Sequence, residues 1–254
     1  MKYDISPDII AFSTSRNLTG FSVGAYGRFN INEYCGDDES AVMKNRQLLA
    51  ERLGIDVRNI VMPHQTHGTE VRRITPDTRK DDLEGVDAIT TNDAGILIGV
   101  STADCIPIII YDPERRAVAT VHAGWRGTVA RIAEITIGEM GREYGSCPER
   151  LLAQIGPGIS LDAFEVGDEV YEKFASANFP MERIARRYPS SEGADKWHID
   201  LWECNRLQLL ASGLQAQNIR VAGVCTYCHA DEYFSARRLS VNSGRIFTGA
   251  MIRG

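Results

Sequence analysis

Short β-branched runs recur along this chain, divided by a few amphipathic stretches. "EVRRIT" (70–75), "GILIGV" (95–100), "IPIIIYD" (106–112), "AVATVHAG" (117–124), "LLAQIG" (151–156), "IRVAGV" (219–224) and "RIFTGAMI" (245–252) have the length and the Ile/Val content of strands. Helical spacing appears elsewhere. "DDESAVMKNRQLLAERLG" (37–54) opens with acids, sets Val42, Leu49 and Leu53 on one face and stops at a glycine. "TVARIAEITIGEMGREYG" (128–145) repeats Val129, Ile132 and Ile135 at near-helical intervals, so the strand before it should run through a glycine-flanked turn into a helix. "GDEVYEKFAS" (167–176) and "DLWECNRLQLLASG" (200–213) are the remaining helices. The polar "YPSSEGADKWH" (188–198) reads as a long surface loop. Helices interrupt strands without strict alternation, which predicts an α+β fold with mixed sheets. No repeat, low-complexity tract or linker divides the chain, so one domain over 1–254 is expected.

Composition narrows the function classes. With 254 residues, 43% of them hydrophobic and 24% charged, the chain can build a large core. A net charge of −6 with interspersed signs supplies no basic footprint for nucleic acid. The longest apolar run, "CIPIIIY", is strand-sized, and "MKYDISPDIIAF" lacks the basic start and apolar stretch of a leader, so a cytoplasmic protein without a membrane segment is expected. In that setting Cys35, Cys105, Cys147, Cys204, Cys225 and Cys228 should stay reduced.

Three short pieces offer chemistry: "HQTHG" with His64 and His67, "STADCIP" with Cys105, and "VHAGWRG" with His122. Each lies at a predicted strand end, where a sheet can hold a side chain rigidly. Two imidazoles and a thiolate suit zinc and leave a fourth position open; the same donors attract copper. Singly, a cysteine before an apolar run is ordinarily a buried hydrophobe and a strand-end histidine a structural one. "HAGWRG", however, surrounds its imidazole with glycines, an aromatic and an arginine that a plain turn does not need. Arg46, Arg126, Arg237 and Arg238 are candidates for an anion site, because a guanidinium fork suits phosphate. "CTYCH" (225–229) matches a haem-attachment pattern, but haem attachment needs an export context and a zinc ribbon needs a second CxxC, so packing is expected for Cys225 and Cys228. "IGPGIS" (155–160) lacks the Lys and Ser/Thr of a phosphate loop, so its glycines serve backbone geometry.

A series of motifs in order ("RFNI", "VMKNRQLL", "HQTHGTEV", "GVDAITT", "TADCIPI", "VHAGWRGT", "IGPGIS", "FEVGDEVYEKF" and "CTYCHADEYFSARR") resembles the YfiH-type proteins. These are also called laccase-domain, polyphenol oxidase-like or multifunctional purine nucleoside proteins. The resemblance implies α/β/β/α layers similar to the catalytic domain of cytotoxic necrotizing factor toxins. It also implies His67, not His64, as the first metal ligand, with Cys105 and His122 as the others. "LSVNSGRIF" after "SARR" is longer than the family's usual link to its last strand.

The activity so implied is zinc-dependent: phosphorolysis of adenosine, inosine and methylthioadenosine to base and ribose 1-phosphate, and deamination of adenosine to inosine. Asp104 is a candidate catalytic residue beside Cys105 and His122, and Gln65, Trp125, Arg46, Arg126 and Arg237 are candidates for substrate or phosphate. Expected partners are a nucleoside and phosphate, the chain itself being a monomer or weak homodimer. Three alternatives stand beside this reading: a copper polyphenol oxidase, a Cys/His hydrolase editing muramyl-nucleotide peptidoglycan precursors, and a metal-held scaffold. Five histidines in all cannot furnish both a blue copper site and a trinuclear cluster.

Overall fold

Residues 1–189 and 193–254 are described by the computed structural model. The chain begins with strand β1 (Ile9–Ser13) and reaches helix α1 (Glu39–Leu53). Asp38 caps α1 by accepting from the Ala41 amide, and Gly54 ends it in the left-handed conformation, φ 68°. β2 (Ile60–Val61), β3 (Glu70–Arg73), β4 (Val86–Thr91), β5 (Leu97–Thr102), β6 (Ile106–Asp112) and β7 (Ala117–Ala123) follow, then α2 (Trp125–Val129) and α3 (Ile132–Tyr144). β8 (Leu152–Ile155), β9 (Glu165–Val166), α4 (Asp168–Ser176), α5 (Met181–Ile184), β10 (Ala185–Tyr188) and β11 (Lys196–Ile199) lead to α6 (Leu201–Ala211). The chain closes with β12 (Ile219–Val221), α7 (Ala236–Leu239) and β13 (Ile246–Ile252).

Two mixed sheets stack as the central layers. One has the order β12-β8-β6-β7-β4-β3 and the other β1-β13-β5-β2; a small sheet, β10-β11-β9, stands apart from both. β6 shows why the stack forms. Ile106, Ile108 and Ile110 pack with α3 and α6 residues such as Ile137 and Leu209, while Ile109 and Tyr111 turn to the other sheet and meet Ile98 and Ala250. A strand covered on both faces carries no polar alternation, hence the unbroken "IPIIIY". The outer face of the four-stranded sheet, with Leu97 and Phe247, is covered by Leu49 and Ala50 of α1. The layers are therefore α/β/β/α, as the resemblance implied. Among the described residues no helix is long and apolar enough to cross a membrane.

Several local expectations change. The helix expected over 128–145 is two helices, because Arg131 adopts φ 66° between them. Its neighbours make that break tolerable: Gln208 of α6 donates to the Thr128 carbonyl at 2.9 Å, and Asn205 to the Thr128 hydroxyl at 3.2 Å. The loop expected over 188–198 carries strand residues at both ends, with Arg187 paired to Trp197, while its residues 190–192 lie outside the described ones. Trp197 stacks on Tyr171 at 4.0 Å, a contact that compensates for the polar composition around it. The strand expected over 219–224 stops at Val221, before Gly223 at φ 66°. β1, β2, β4 and β9 lie outside the runs that read as strands.

Candidate metal centre and its cleft

The register of the six-stranded sheet sets the site. Pro107 of β6 faces His122 of β7, which brings Cys105, just before β6, beside the end of β7. On the other flank Ala88 of β4 pairs with Val121, so Asp87 stands next to His122. The third segment, 62–69, crosses from β2 in one sheet to β3 in the other and is tied to both. Gln65 donates to the Ser101 carbonyl and accepts from the Ser101 amide, both at 2.8 Å, which pins it to β5. Asp87 pins it to β4, accepting from the amides of Thr66 (3.1 Å), His67 (3.0 Å) and Gly68 (2.7 Å).

These ties hold His67 at φ 65°, a conformation a non-glycine residue keeps only where its surroundings enforce it. The result is a convergence of ligand atoms. Those of His67, Cys105 and His122 all lie within 4.8 Å of one another, and among the described residues this is the one group of its kind. The donors fit a metal. Zinc–sulfur and zinc–nitrogen bonds of roughly 2.3 and 2.0 Å at a tetrahedral angle imply an S···N edge of about 3.6 Å. Cys105 Sγ stands 3.7 Å from His67 Nε2. His122 Nδ1 is 2.7 Å from Asp87 Oδ1, which leaves Nε2 for the ion, the usual outer-shell arrangement of a metal-binding histidine.

Electrostatics couple the thiol to the buried imidazole. Burial pushes the Cys105 thiol up, but the charge and hydrogen bond of His122, and then those of His67, outweigh it and bring it down to about 6. Burial opposes protonation of His122, yet Cys105 and Asp87 raise it to about 9. Asp87 is fully buried; its desolvation is outweighed by His122 and by the amides of Gly68 and Thr66, so its carboxyl stays below the ordinary range.

A cleft of about 220 Å³ opens over the triad, walled by Asn32, Tyr34, Gln65, Ser101 and Arg245 among others. His64 belongs to that wall and not to the triad: its ring stacks on Tyr34 at 4.0 Å and its Nδ1 pairs with Glu84. The other sequence candidates lie around the cleft without lining it. Asp104 accepts from the Thr226 hydroxyl and the Arg237 amide, both at 2.7 Å, so its carboxylate anchors the turn holding Cys105. Trp125 packs against the core cluster under α3, with the Arg126 guanidinium 4.3 Å above its ring. Arg237 donates to the Glu165 carbonyl at 3.1 Å, and Arg238 lies 5.1 Å over Tyr227. Arg46 pairs with Glu33 at 3.3 Å and donates to the Ile60 carbonyl at 3.0 Å, in a neighbouring pocket. Cys225 is buried and accepts from the Ser160 hydroxyl at 3.1 Å, whereas Cys228 is exposed, so packing accounts only for the first.

Sequence reasoning missed Asp87 as a functional group, although an acid inside the apolar "GVDAIT" was a signal: carboxylates are rarely buried unless partnered. Arg245 was missed as well, having only its place before a strand to mark it.

A purine nucleoside phosphorylase of Bacteroides thetaiotaomicron is 45% identical over 252 residues, covering 96% of this chain and 92% of its own length. The adenosine deaminase RL5 of an unknown prokaryotic organism is 46% identical over 246 residues, covering 94% and 92% respectively. The crystal structure of YlmD from Geobacillus stearothermophilus superposes with a TM-score of 0.89 at 31% identity, covering 99% of this chain and 94% of that one. The model of the family described as multi-copper polyphenol oxidoreductase laccase matches residues 10–253, and this chain belongs to that family, the laccase-domain proteins that include YfiH.

Proposed function

We propose that residues 1–254 act as one catalytic unit, a zinc-dependent purine nucleoside enzyme. It would split adenosine, inosine and methylthioadenosine with phosphate, and deaminate adenosine with water. The observation that carries the metal dependence is the convergence of His67, Cys105 and His122 at the floor of an open cleft. The purine substrate is supported by the two relatives of 45% and 46% identity, one named a purine nucleoside phosphorylase and the other an adenosine deaminase.

His67, Cys105 and His122 would hold the ion, which when bound supplies a Lewis acid and lowers the pKa of water. The chain's own groups do the positioning. Asp87 keeps the His122 Nδ1 protonated and its Nε2 turned to the cleft, and the Gln65–Ser101 pair stops the His67 segment from swinging out. In deamination the oxygen of water replaces the C6 amino group and ammonia leaves. In phosphorolysis a phosphate oxygen bonds to C1′ while the C1′–N9 bond breaks, its electron pair and a proton going to the base. Multi-copper oxidation fits these residues poorly, because the donor set is one thiolate and two imidazoles, and His64 and His198 are engaged elsewhere with Glu84 and the Leu161 carbonyl.

A second reading is favoured by one observation: His122 sits between Asp87 and Cys105, the order of acid, base and nucleophile in a cysteine hydrolase. Such an enzyme would cleave an amide, as in a muramyl nucleotide, without metal. The deciding experiment is chromatography of adenosine incubated with zinc-loaded and chelator-stripped protein, with and without phosphate. Adenine appearing only with phosphate, or inosine without it, and both lost on stripping, is the expected result. Untouched adenosine with loaded protein sinks the purine reading. Muramyl-nucleotide cleavage by stripped protein would establish the second.

Gly124 offers a separate test of the metal site. Its φ of −66° suits alanine, but an added Cβ would lie 2.7 Å from His67 Cδ2 and 3.2 Å from Cys105 Sγ. Gly124→Ala should therefore displace the imidazole and weaken zinc binding about 10- to 100-fold. Competition with a chromophoric chelator measures this, and wild-type affinity in the variant would count against the triad as the binding site.

A further inference from the structure

Phosphate must enter the same cleft as the nucleoside, and the arginines picked out by sequence do not line it. Arg245 does, as the one lysine or arginine among the described residues of the cleft wall. Its guanidinium donates to three backbone carbonyls, those of Val241 (2.9 Å), Ser243 (2.5 Å) and Gly244 (3.1 Å). All three acceptors are neutral, and no carboxylate accepts from it among the described residues. Its charge is therefore oriented without being neutralised, and the remaining N–H groups of the fork are left for a ligand.

The segment that carries Arg245 is itself seated. The Arg245 amide donates to Asn30 Oδ1 at 3.2 Å. Gly244 lies so close over the buried ring of Phe234 that a Cβ there would come within 2.4 Å of it. Arg46, by contrast, already has Glu33 for its charge. A half-buried guanidinium with only neutral partners, in one cavity with a site for a cation, is a receptor for a small dianion.

The geometry points to Arg245 as the phosphate-recognising residue of the cleft. The ligand chemistry is a phosphate dianion, arriving either as inorganic phosphate, the co-substrate of phosphorolysis, or as the 5′-phosphate of a purine nucleotide. The first form rests on the phosphorylase reading; the second does not.

The test uses zinc-loaded full-length protein, Arg245→Gln and the charge-keeping Arg245→Lys. Two quantities are read: the ratio of phosphorolysis to deamination of adenosine, with the KM for phosphate, and the rise in Tm on adding inorganic phosphate or adenosine 5′-monophosphate. In Arg245→Gln the KM for phosphate should rise, and the ratio fall, about tenfold or more, with Arg245→Lys in between. The Tm rise should disappear in the glutamine variant. An unchanged ratio and an undiminished Tm rise overturn the assignment, as does the same loss produced by Arg46→Ala in place of Arg245→Gln. Should the glutamine variant not fold, the lysine variant decides: a wild-type KM for phosphate with lysine's different geometry would overturn the assignment. If wild-type protein forms no ribose 1-phosphate, the phosphorylase reading has failed. The anion site then stands only if either ligand raises the Tm through Arg245, and falls if neither does.

Discussion

Cys105→Ala protein is expected to come off a desalting column without metal and to form neither adenine nor inosine from adenosine. Cys105 supplies one of three ligand atoms within 4.8 Å, and the histidines around it bring its thiol down to about 6, so the proton that an incoming ion displaces is the one held on His122 and not one on the sulfur. Structural zinc sites hold the ion with about 10–16 kcal/mol over four ligands, so loss of one ligand costs roughly 2.5–4 kcal/mol, or about 60- to 700-fold in affinity. The fold has much less at stake. Cys105 is only partly buried at the cleft floor, outside the core clusters, and removing its sulfur costs about 1 kcal/mol of packing. Metal analysis, product chromatography and thermal unfolding of stripped wild-type and variant proteins make the check. A metal-replete, active variant removes Cys105 from the site. An unfolded one supports the reading of the triad as a structural staple.

The Asp87→Asn exchange should do more damage to the molecule as a whole. Asp87 is fully buried and accepts four hydrogen bonds, from the amides of Thr66, His67 and Gly68 and from His122 Nδ1. The amide has one oxygen in place of two and sets its own N–H groups against donors, leaving at least one buried donor unsatisfied. Breaking a buried ionic pair from one side costs about 3–5 kcal/mol. For a chain of this size that lowers Tm by roughly 6–20 °C. Zinc affinity should fall about 10- to 100-fold at the same time, because the substitution loosens the His67 segment and frees the His122 ring together. Calorimetry and zinc titration test the two effects jointly. A variant with reduced metal affinity and wild-type Tm would show that Asp87 acts on the ring alone; unchanged values for both would refute its central place.

β6 and β7 were legible because a strand sandwiched between two layers must be apolar throughout, and α1 because its Asp38 cap and Gly54 stop act within a turn of the helix. The ligand types His67, Cys105 and His122 were visible as unusual residues at strand ends, although choosing His67 over His64 took the family resemblance. Local chemistry also hid what tertiary contacts imposed. Arg131 breaks a helix because α6 supplies donors to the opened turn, and Trp197 forms a strand because Tyr171 covers it. Neither partner lies within reach of a sequence window.

The sequence by itself determined the α+β class with its doubly buried strands and the three donors able to hold a metal, since burial on two faces and ligand chemistry are properties of residue types, while the layering was legible only through the family resemblance. Only the tertiary structure decided their use. Asp87 joins the His67 segment to His122 because β4 lies in register beside β7 while 62–69 crosses between sheets. Arg245, and not Arg46, faces the cleft because Glu33 and the Ile60 carbonyl hold Arg46 in the next pocket. Convergence of residues far apart in the chain is set by strand register and loop path, which no local pattern encodes.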